Sequence, residues 1–216
     1  MRVIARREEG GAAFMAEAYG KLTGRPGICF VTRGPGATNA SIGVHTAFQD
    51  STPLILFIGQ VGSDVVEREA FQEMDYRRMF GQMAKWVAQI DRVDRIPEYI
   101  SHAFHTAVSG RPGPVVLSLP EDMLVSQAAV RDARAYVRVK ANPGNADMDR
   151  LRDMLEQAQK PLIILGGGYW SASAGDDILS FIVANHLPDA CAVRSQEFLA
   201  TRHPNHFGNF GLVLAP

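Results

Sequence analysis

The sequence predicts an α/β fold, with a three-layer domain built on a parallel sheet and then the start of a second α/β domain. Short apolar runs rich in β-branched residues alternate with segments whose apolar residues recur at helical spacing. The apolar runs are continuous rather than alternating, which is typical of parallel strands buried on both faces. A polar stretch with no apolar stripe separates the two regions.

The first region, residues 1–125, contains most of the predicted elements. We expect a short strand at Arg2–Arg6 and a helix at Glu8–Leu22, which Gly24 and Pro26 end. The segment Ser63–Phe80 is polar and acidic, and we expect it to be partly helical at best. The other predicted elements are strands at Gly27–Thr32, Pro53–Gly59, Lys85–Ile90 and Gly113–Pro120 and helices at Pro35–Phe48 and Ile96–Val108.

Residues 126–146 are charged, contain a Pro-Gly turn and are expected to form a linker. Residues 147–216 resume the alternation of helix and strand and indicate a partial, Rossmann-like α/β domain. Its predicted elements are helices at Met148–Gln159 and Asp176–His186 and strands at Pro161–Gly168 and Ala190–Val193. Both ends of the chain look cut from a larger protein, since each carries an apolar run with no lead-in or continuation.

Composition excludes several classes of function. The formal net charge is −1, which gives no electrostatic reason to bind nucleic acid or an anionic membrane. No apolar run approaches the roughly 20 residues of a membrane span, and no signal peptide is visible. Cys29 and Cys191 lie in separate apolar runs, which is typical of reduced core residues in a cytosolic protein. We therefore expect a cytoplasmic protein.

The turn Gly34-Pro35-Gly36 follows a predicted strand and opens a predicted helix. Such a turn directs backbone N–H groups and the positive end of the helix dipole outward, where they can meet a polar ligand. It lacks the Gly-Lys-Ser/Thr of a Walker A loop and the spacing of a dinucleotide fingerprint. Its residues alone do not distinguish a functional loop from a tight connection between strand and helix.

Glu8 and Glu9 begin the first predicted helix, where a carboxylate interacts favourably with the dipole. One of them is expected simply to cap the helix. The small residues Gly10–Ala13 follow, and they would let another body pack against this helix end. A carboxylate beneath such a contact would lose solvent, and its pKa would rise toward the range useful for proton transfer.

Three further motifs are ambiguous. The loop Ala70–Asp75 follows a buried strand, at the sheet edge where ligands bind in open α/β sheets. The run Gly166–Gly168 also follows a strand and fits either a phosphate or a tight turn. His203 and His206 have the spacing of metal ligands but no further ligand nearby in sequence, so we interpret them as loop histidines and predict no metal site.

Several of these motifs occur together in one order: "REEGGAAFMAEAYGKLTG", "GPGATN", "DSTPLILFIGQV", "AFQE" and "GRPGPVVLSLPED". In this respect the chain resembles thiamine diphosphate-dependent enzymes of the acetolactate synthase and pyruvate oxidase group. The resemblance covers residues 1 to about 125 as the pyrimidine-binding domain and 147–216 as part of the central domain. The first strand and helix of the family's pyrimidine domain are missing.

The resemblance implies a set of site residues. Glu9 matches the family's acid, which pairs with a ring nitrogen of the cofactor's pyrimidine and favours its imino tautomer. Gln72 is the second implied catalytic residue, and Glu8 stands where many relatives have His. The residues implied to contact the cofactor, besides Glu9, are Thr32, Gly34, Pro35, Gly36, Asn39, Phe71 and Gln72.

The resemblance also implies cofactors and partners. Thiamine diphosphate would be bound with Mg²⁺, which a "GDG…N" motif of a domain not seen here holds in the family. FAD stays open: Gly166–Gly168 matches a run that can lie near FAD or another nucleotide, whereas "MFGQMAKW" replaces a basic stretch near FAD. In the family each active site needs two chains, and we therefore expect a homodimer or homotetramer.

The implied reaction is decarboxylation of a small 2-oxo acid followed by carboligation, as in acetolactate synthesis. Related enzymes are decarboxylases, oxidases and acyltransferases, and these residues do not separate them. A truncated, non-catalytic interaction domain is the alternative outside enzymes. We expect the 216 residues by themselves to be inactive.

Overall fold

The computed structural model describes residues 3–168, 170–196 and 203–211. The chain divides into two units, Met1–Val139 and Lys140–Pro216. Within the described ranges, the model contains no helix with the length and apolar character of a bilayer span.

The first unit is built on a four-stranded sheet whose helices follow the predicted order. Its strands are β1 (Gly27–Val31), β2 (Leu54–Gln60), β3 (Trp86–Gln89) and β4 (Pro114–Pro120). Its helices are α1 (Glu9–Thr23), α2 (Gly34–Asp50), α3 (Tyr76–Phe80), α4 (Ile96–Val108) and α5 (Glu121–Val125). Short 3-10 turns lie at Ser63–Val65 and Val93–Arg95.

All the strand pairs of this sheet are parallel, and the strand order is β1-β2-β4-β3. The carboxyl ends of the strands therefore lie along one edge, where the connecting loops meet. Side chains of β2 alternate between two buried layers, because successive residues of a strand point to opposite faces. Leu54, Leu56 and Ile58 join the cluster that contains α1 and α2, whereas Ile55 and Phe57 join the cluster that contains α4.

Small residues bring α1 and α2 close together. A Cβ on Gly43 of α2 would lie 2.6 Å from the Cβ of Ala13, and a Cβ on Gly10 would lie 3.1 Å from the carbonyl oxygen of Asn39. Gly10 and Ala13 are buried in this contact. The small residues Gly10 and Ala13 therefore let another body pack against this helix end, and for these two residues that body is α2 of the same chain.

The second unit contains a smaller parallel sheet in the order β5-β6-β7. Its elements are α6 (Asn145–Gln157), β5 (Ile163–Leu165), α7 (Ala172–Ala184), β6 (Asp189–Ala192) and β7 (His206–Phe210). Leu165, Ile182 and Cys191 form its buried cluster.

Residues 126–144 contain neither helix nor strand. The ring of Tyr136 stacks on Phe104 of α4, with centroids 5.1 Å apart, so part of this segment packs on the first unit.

The helices and strands of the first unit confirm the predicted ones, with one exception and one omission. Residues 3–6 of the expected strand Arg2–Arg6 form no strand, and Arg2 lies outside the described residues. Val3 and Ile4 are 79% and 57% exposed, so their β-branched side chains have no sheet to join. The helix α5 was not predicted; it begins directly after Pro120, which ends β4.

Candidate active site

Glu8 and Glu9 have different tasks at the start of α1. Glu8 is the N-cap, and its two carboxylate oxygens accept hydrogen bonds from the N–H groups of Gly10 and Gly11, both at 2.6 Å. This satisfies two of the amides that a helix start leaves without partners. The capping role that the sequence assigned to one of the two acids therefore belongs to Glu8.

Glu9 directs its carboxylate toward α2. Its Oε2 accepts a hydrogen bond from Nδ2 of Asn39, at 3.0 Å. This bond stabilises the charged form and is the main reason that the pKa of Glu9 lies below its usual value. The expected rise of this pKa requires another body over the carboxylate; in the chain by itself, Glu9 keeps part of its exposure and gains an amide donor.

The Gly-Pro-Gly turn has little room for a side chain at Gly36, because neighbouring groups lie close to this residue. A Cβ on Gly36 would lie 2.9 Å from Cγ2 of Thr32 and 3.6 Å from Oε1 of Glu9. Pro35 occupies the first turn of α2, which it tolerates because the N–H that it lacks has no partner within the helix there. A larger residue at position 36 would displace the side chain of Thr32, whereas the carboxylate of Glu9 lies at an ordinary contact distance.

The loop that contains Phe71 and Gln72 is anchored to this turn. The N–H of Gly34 donates to the carbonyl oxygen of Gln72 at 3.0 Å, and Nη1 of Arg33 donates to the carbonyl oxygen of Phe71 at 3.2 Å. The Gly34 amide thus has a protein partner, and Pro35 has no N–H. Two of the three residues therefore present no free amide to a ligand, and the turn leaves room for a ligand rather than binding it through these amides.

Gln72 and Phe71 occupy a tightly shaped loop. Gln72 has a positive φ of 64°, which is uncommon for a residue with a side chain. Phe71 is 78% exposed, so its ring is not part of the core. The carboxylate of Glu73 fixes the loop by accepting hydrogen bonds from the N–H groups of Glu67 and Ala70, at 2.6 and 3.1 Å.

The topology explains why residues distant in sequence meet here. Thr32 follows β1 directly, Gly34 begins α2, and Gln72 lies in the connection after β2. Because β1 and β2 are parallel neighbours, both connections leave from the same edge of the sheet. The structure thus brings Glu9 together with Thr32, Gly36 and Asn39, and Gln72 together with Gly34.

Cys29 lies beneath this site and is buried. Burial raises the pKa of its thiol to about 11, and the negative charge of Glu9 adds to the effect. The thiol is therefore protonated near neutral pH, as expected of a core cysteine.

A separate cleft of about 320 Å³ opens at the carboxyl ends of β2, β3 and β4. Gln60, Gln89 and Ser118 of these strands contribute to its lining. The residues implied to contact the cofactor do not line this cleft, so it is distinct from the site around Glu9.

The structure describes the surroundings of two motifs in the second unit, the glycines Gly166–Gly168 and the histidines His203 and His206. Gly167 has a φ of +82°, and a Cβ on Gly166 would lie 3.3 Å from the Cβ of Ala192. A tight turn and a close packing contact therefore account for these glycines without a nucleotide. Sequence reasoning missed the surroundings of His203 and His206, which lie beside the buried Asp189.

The fold agrees with the protein-family models that match this chain. The model described as "Thiamine pyrophosphate enzyme, N-terminal TPP binding domain" matches residues 1–79, and "Thiamine pyrophosphate enzyme, central domain" matches residues 148–216. The chain belongs to the thiamine pyrophosphate enzymes. Thiamine pyrophosphate is the cofactor also called thiamine diphosphate.

Within that family, the chain is similar to acetolactate synthases. It is 32% identical to the large subunit of acetolactate synthase isozyme 2 from Escherichia coli, over 95% of this chain and 38% of that protein. It is 33% identical to the acetolactate synthase large subunit of Lactococcus lactis, over 97% and 37%, respectively. Chloroplastic acetolactate synthase of Arabidopsis thaliana is 34% identical, over 87% and 28%. The chain thus spans about a third of the length of these relatives.

Proposed function

We propose that this chain is the pyrimidine-binding and partial central region of a thiamine diphosphate-dependent enzyme that joins acyl units derived from 2-oxo acids. One observation supports the proposal most: the carboxylate of Glu9, held by Asn39, lies beside a turn whose last residue has little room for a side chain. A flat ring needs such an arrangement, with an acid at its edge and no side chain beneath it.

Glu9 would hold a ring nitrogen of the cofactor's pyrimidine. Its lowered pKa keeps the carboxylate charged, and the amide of Asn39 fixes its direction. A charge at this atom favours the tautomer in which the opposite amino group acts as a base. When bound, thiamine diphosphate supplies a carbon nucleophile, and the residues of the chain orient it and tune its protons.

Phe71 and Gln72 would contact the cofactor on the side of the substrate. Their backbone carbonyl oxygens accept hydrogen bonds from Arg33 and Gly34. These bonds therefore hold the loop through its backbone and do not involve the two side chains. Pro35 and Thr32 would complete the wall around the ring. We assign the positioning of the substrate to Gln72 and the proton transfer to Glu9.

The metal and the second cofactor rest on the resemblance alone. Mg²⁺ prefers oxygen ligands, whereas the group with metal-ligand spacing among the described residues contains two histidines. We therefore place no step through Mg²⁺ in these residues. FAD stays a prediction of the resemblance, since packing and turn geometry account for Gly166 and Gly167.

The substrates follow from the relatives. Their names specify acetolactate synthesis. The resemblance implies decarboxylation of a small 2-oxo acid followed by carboligation. We propose the same class of reaction here, with decarboxylation, oxidation or acyl transfer as the alternatives in the family. We also propose that the enzyme is a homodimer or homotetramer of the cytoplasm.

The decisive experiment compares Glu9→Gln with Glu8→Gln in the intact enzyme. Glu9→Gln keeps size and polarity but removes the charge, and we expect turnover to fall by about 10²–10⁴. Glu8→Gln keeps an oxygen for capping and should leave turnover within a few-fold of the wild type. Hydrogen–deuterium exchange at the thiazolium carbon of bound cofactor measures the affected proton directly.

Two results would contradict the proposal. Normal exchange in Glu9→Gln would remove Glu9 from the proton transfer. No response of the wild-type enzyme to thiamine diphosphate with Mg²⁺, in either heat of binding or activity, would favour the non-catalytic interaction domain instead.

A further inference from the structure

A second group of reactive side chains lies in the second unit, whereas the residues assigned to the cofactor belong to the first unit. It consists of Asp189, His203 and His206, which we call the Asp-His-His cluster. Asp189 begins β6 and His206 begins β7, and these two residues are partners in the parallel register of the sheet. The N–H of His206 donates to the carbonyl oxygen of His203 at 3.2 Å, so a turn brings the second histidine to the same place.

The three side chains are close together and enclosed. Nδ1 of His206 lies 2.8 Å from Oδ2 of Asp189, and Nε2 of His203 lies 3.1 Å from Oδ1. The side chain of Asp189 is 0% exposed, and those of His203 and His206 are 10% and 4% exposed. One ligand atom from each residue can be chosen so that all three atoms lie within 4.8 Å of one another.

Most of the polar atoms of this cluster have no hydrogen-bond partner. Among the described residues, the buried side-chain atoms without one are Oδ1 of Asp189, both ring nitrogens of His203 and Nε2 of His206. Buried polar atoms are nearly always satisfied, because each one left without a partner costs stability. Four such atoms in three adjacent residues indicate that a partner belongs between them.

We propose that the Asp-His-His cluster binds one Zn²⁺ or a similar first-row divalent ion. Imidazole nitrogens suit zinc, copper, nickel and iron, whereas Mg²⁺ and Ca²⁺ select sites made of oxygens. The carboxylate supplies the negative charge that a buried dication requires. Bound Zn²⁺ would place its ligands about 3.3 Å apart, as tetrahedral bonds of 2.0–2.1 Å require.

The ion would join the start of β7 to the start of β6. His203 and His206 lie in the turn and strand that follow β6 in the sheet order. The main chain also links these two ends, since the N–H of Asp189 donates to the carbonyl oxygen of Asn205 at 3.1 Å. Three protein ligands leave one position for water or a further donor. Since the ligand side chains are buried and lie within the second unit, we assign the ion a stabilising role.

The alternative is a network without metal, in which both histidines donate to the carboxylate. This arrangement satisfies Oδ1 and Oδ2 of Asp189 but leaves one nitrogen of each imidazole buried without a partner. It predicts no bound ion and no response to zinc, so a binding experiment separates the two arrangements.

The first test uses the untagged 216-residue protein, freed of metal with a chelator and then dialysed against micromolar ZnSO₄. We expect one equivalent of zinc by elemental analysis and a rise in the unfolding temperature of at least about 5 °C. MgCl₂ at the same concentration should give neither effect. Co²⁺ in place of zinc should produce the intense visible absorption of a tetrahedral site, whereas a weak octahedral spectrum or absence of binding would overturn the proposal.

The second test compares ligand variants with a matched control. Asp189→Asn, His203→Gln and His206→Gln should each weaken zinc binding by more than about 100-fold, since even residues behind the ligands contribute 10–100-fold. The control His186→Asn removes an exposed histidine of the same unit at a φ of 51°, which Asn tolerates. It should bind one equivalent, and wild-type affinity in all three ligand variants would overturn the assignment.

Discussion

At the residue scale, the site depends on one hydrogen bond between two helices. Asn39 of α2 donates to Glu9 of α1, and both side chains are accessible to solvent in part. Glu8, one residue earlier, is the N-cap with an extended backbone, and its carboxylate bonds the helix's own amides instead. Adjacent residues of the same type therefore differ in function because of their geometry.

We predict that Asn39→Ala raises the pKa of Glu9. The amide bond to the charged carboxylate is the largest cause of its lowered pKa, so removing the donor should return the pKa toward 4.5. Carbon-detected NMR titration of the Glu9 carboxyl measures this shift. Ser41→Ala, which changes a hydroxyl bonded only to Thr38 on the same helix, should leave the titration curve in place. An unchanged pKa in Asn39→Ala would mean that the bond does not form in solution.

At the element scale, α1 and α2 pack through small residues on both helices. Ala13 and Gly43 touch, and the first strand approaches equally closely: a Cβ on Gly27 would lie 1.9 Å from the carbonyl oxygen of Ala16. This close packing fixes the distance between the helices and therefore the distance between Glu9 and Asn39. The site geometry is a consequence of helix packing as well as of its own residues.

We predict that Gly43→Ala destabilises the first unit by about 1–3 kcal/mol. The added methyl would lie 2.6 Å from the Cβ of Ala13 and 2.9 Å from its backbone carbon, and such overpacking exceeds the gain in helix propensity. Gly11→Ala is the matched control, because a Cβ there meets only Oε2 of Glu8, at an ordinary 3.4 Å.

Unfolding in urea, followed by Trp86 fluorescence in a Trp170→Phe background, reports the first unit. Gly11→Ala should be neutral or stabilising by this measure. Equal stability of the Gly43 and Gly11 variants would mean that α1 and α2 do not pack this closely.

At the scale of the whole molecule, the first unit contains two acidic groups that burial keeps protonated. The pKa of Cys29 is raised from 9.0 to about 11, and that of Tyr76 from 10.0 to about 12, in both cases chiefly by loss of solvent. The unfolded chain releases the proton of Cys29 near pH 9 and that of Tyr76 near pH 10, whereas the folded chain keeps them until about pH 11 and 12, respectively. The stabilisation is therefore complete below pH 9 and is lost as pH rises.

We predict that the free energy of unfolding of this unit falls from pH 9 to 11, by an amount of the order of 2–3 kcal/mol for Cys29. Urea titrations at a series of pH values, read from Trp86 in the Trp170→Phe background, measure the slope. The Cys29→Ala variant should differ in stability at every pH, but its free energy of unfolding should fall less steeply as pH rises. Parallel curves for Cys29→Ala and its parent would show that the thiol is not the titrating group.

We also predict that the chain associates through the outer face of α1. Gly10 and Ala13 are covered by α2, but the same helix exposes large apolar side chains. Phe14, Met15, Tyr19 and Leu22 are 40%, 37%, 48% and 85% exposed. Exposed apolar groups on one helix are typical of a contact with a partner, and most soluble oligomers are symmetric.

Sedimentation equilibrium should detect a dimer or larger oligomer, and Tyr19→Glu should weaken it. Leu124→Glu changes an exposed apolar residue on α5 and serves as the control. A strict monomer at high micromolar concentration would contradict this assembly.

The sequence alone determined the order and type of most elements and the position of the Gly-Pro-Gly turn. Continuous apolar runs indicate buried parallel strands because both faces of such a sheet are covered. Local chemistry also placed Pro35 at a helix start and an acid at the N-cap. The expected strand at Arg2–Arg6 is the case in which β-branched residues misled, since a strand needs a neighbour that propensity does not provide.

Only the tertiary structure decided which residues meet. In the folded chain Glu8 is the N-cap of α1. The carboxylate of Glu9 accepts a hydrogen bond from Asn39, 30 residues away, because two helices pack closely through small residues. The tertiary structure also placed Asp189 beside His203 and His206, where the sequence suggested isolated loop histidines. Hydrophobic periodicity records which side of an element is buried but not which elements become neighbours. The pairing of strands and the packing of helices determine these contacts, and with them the chemistry of both sites.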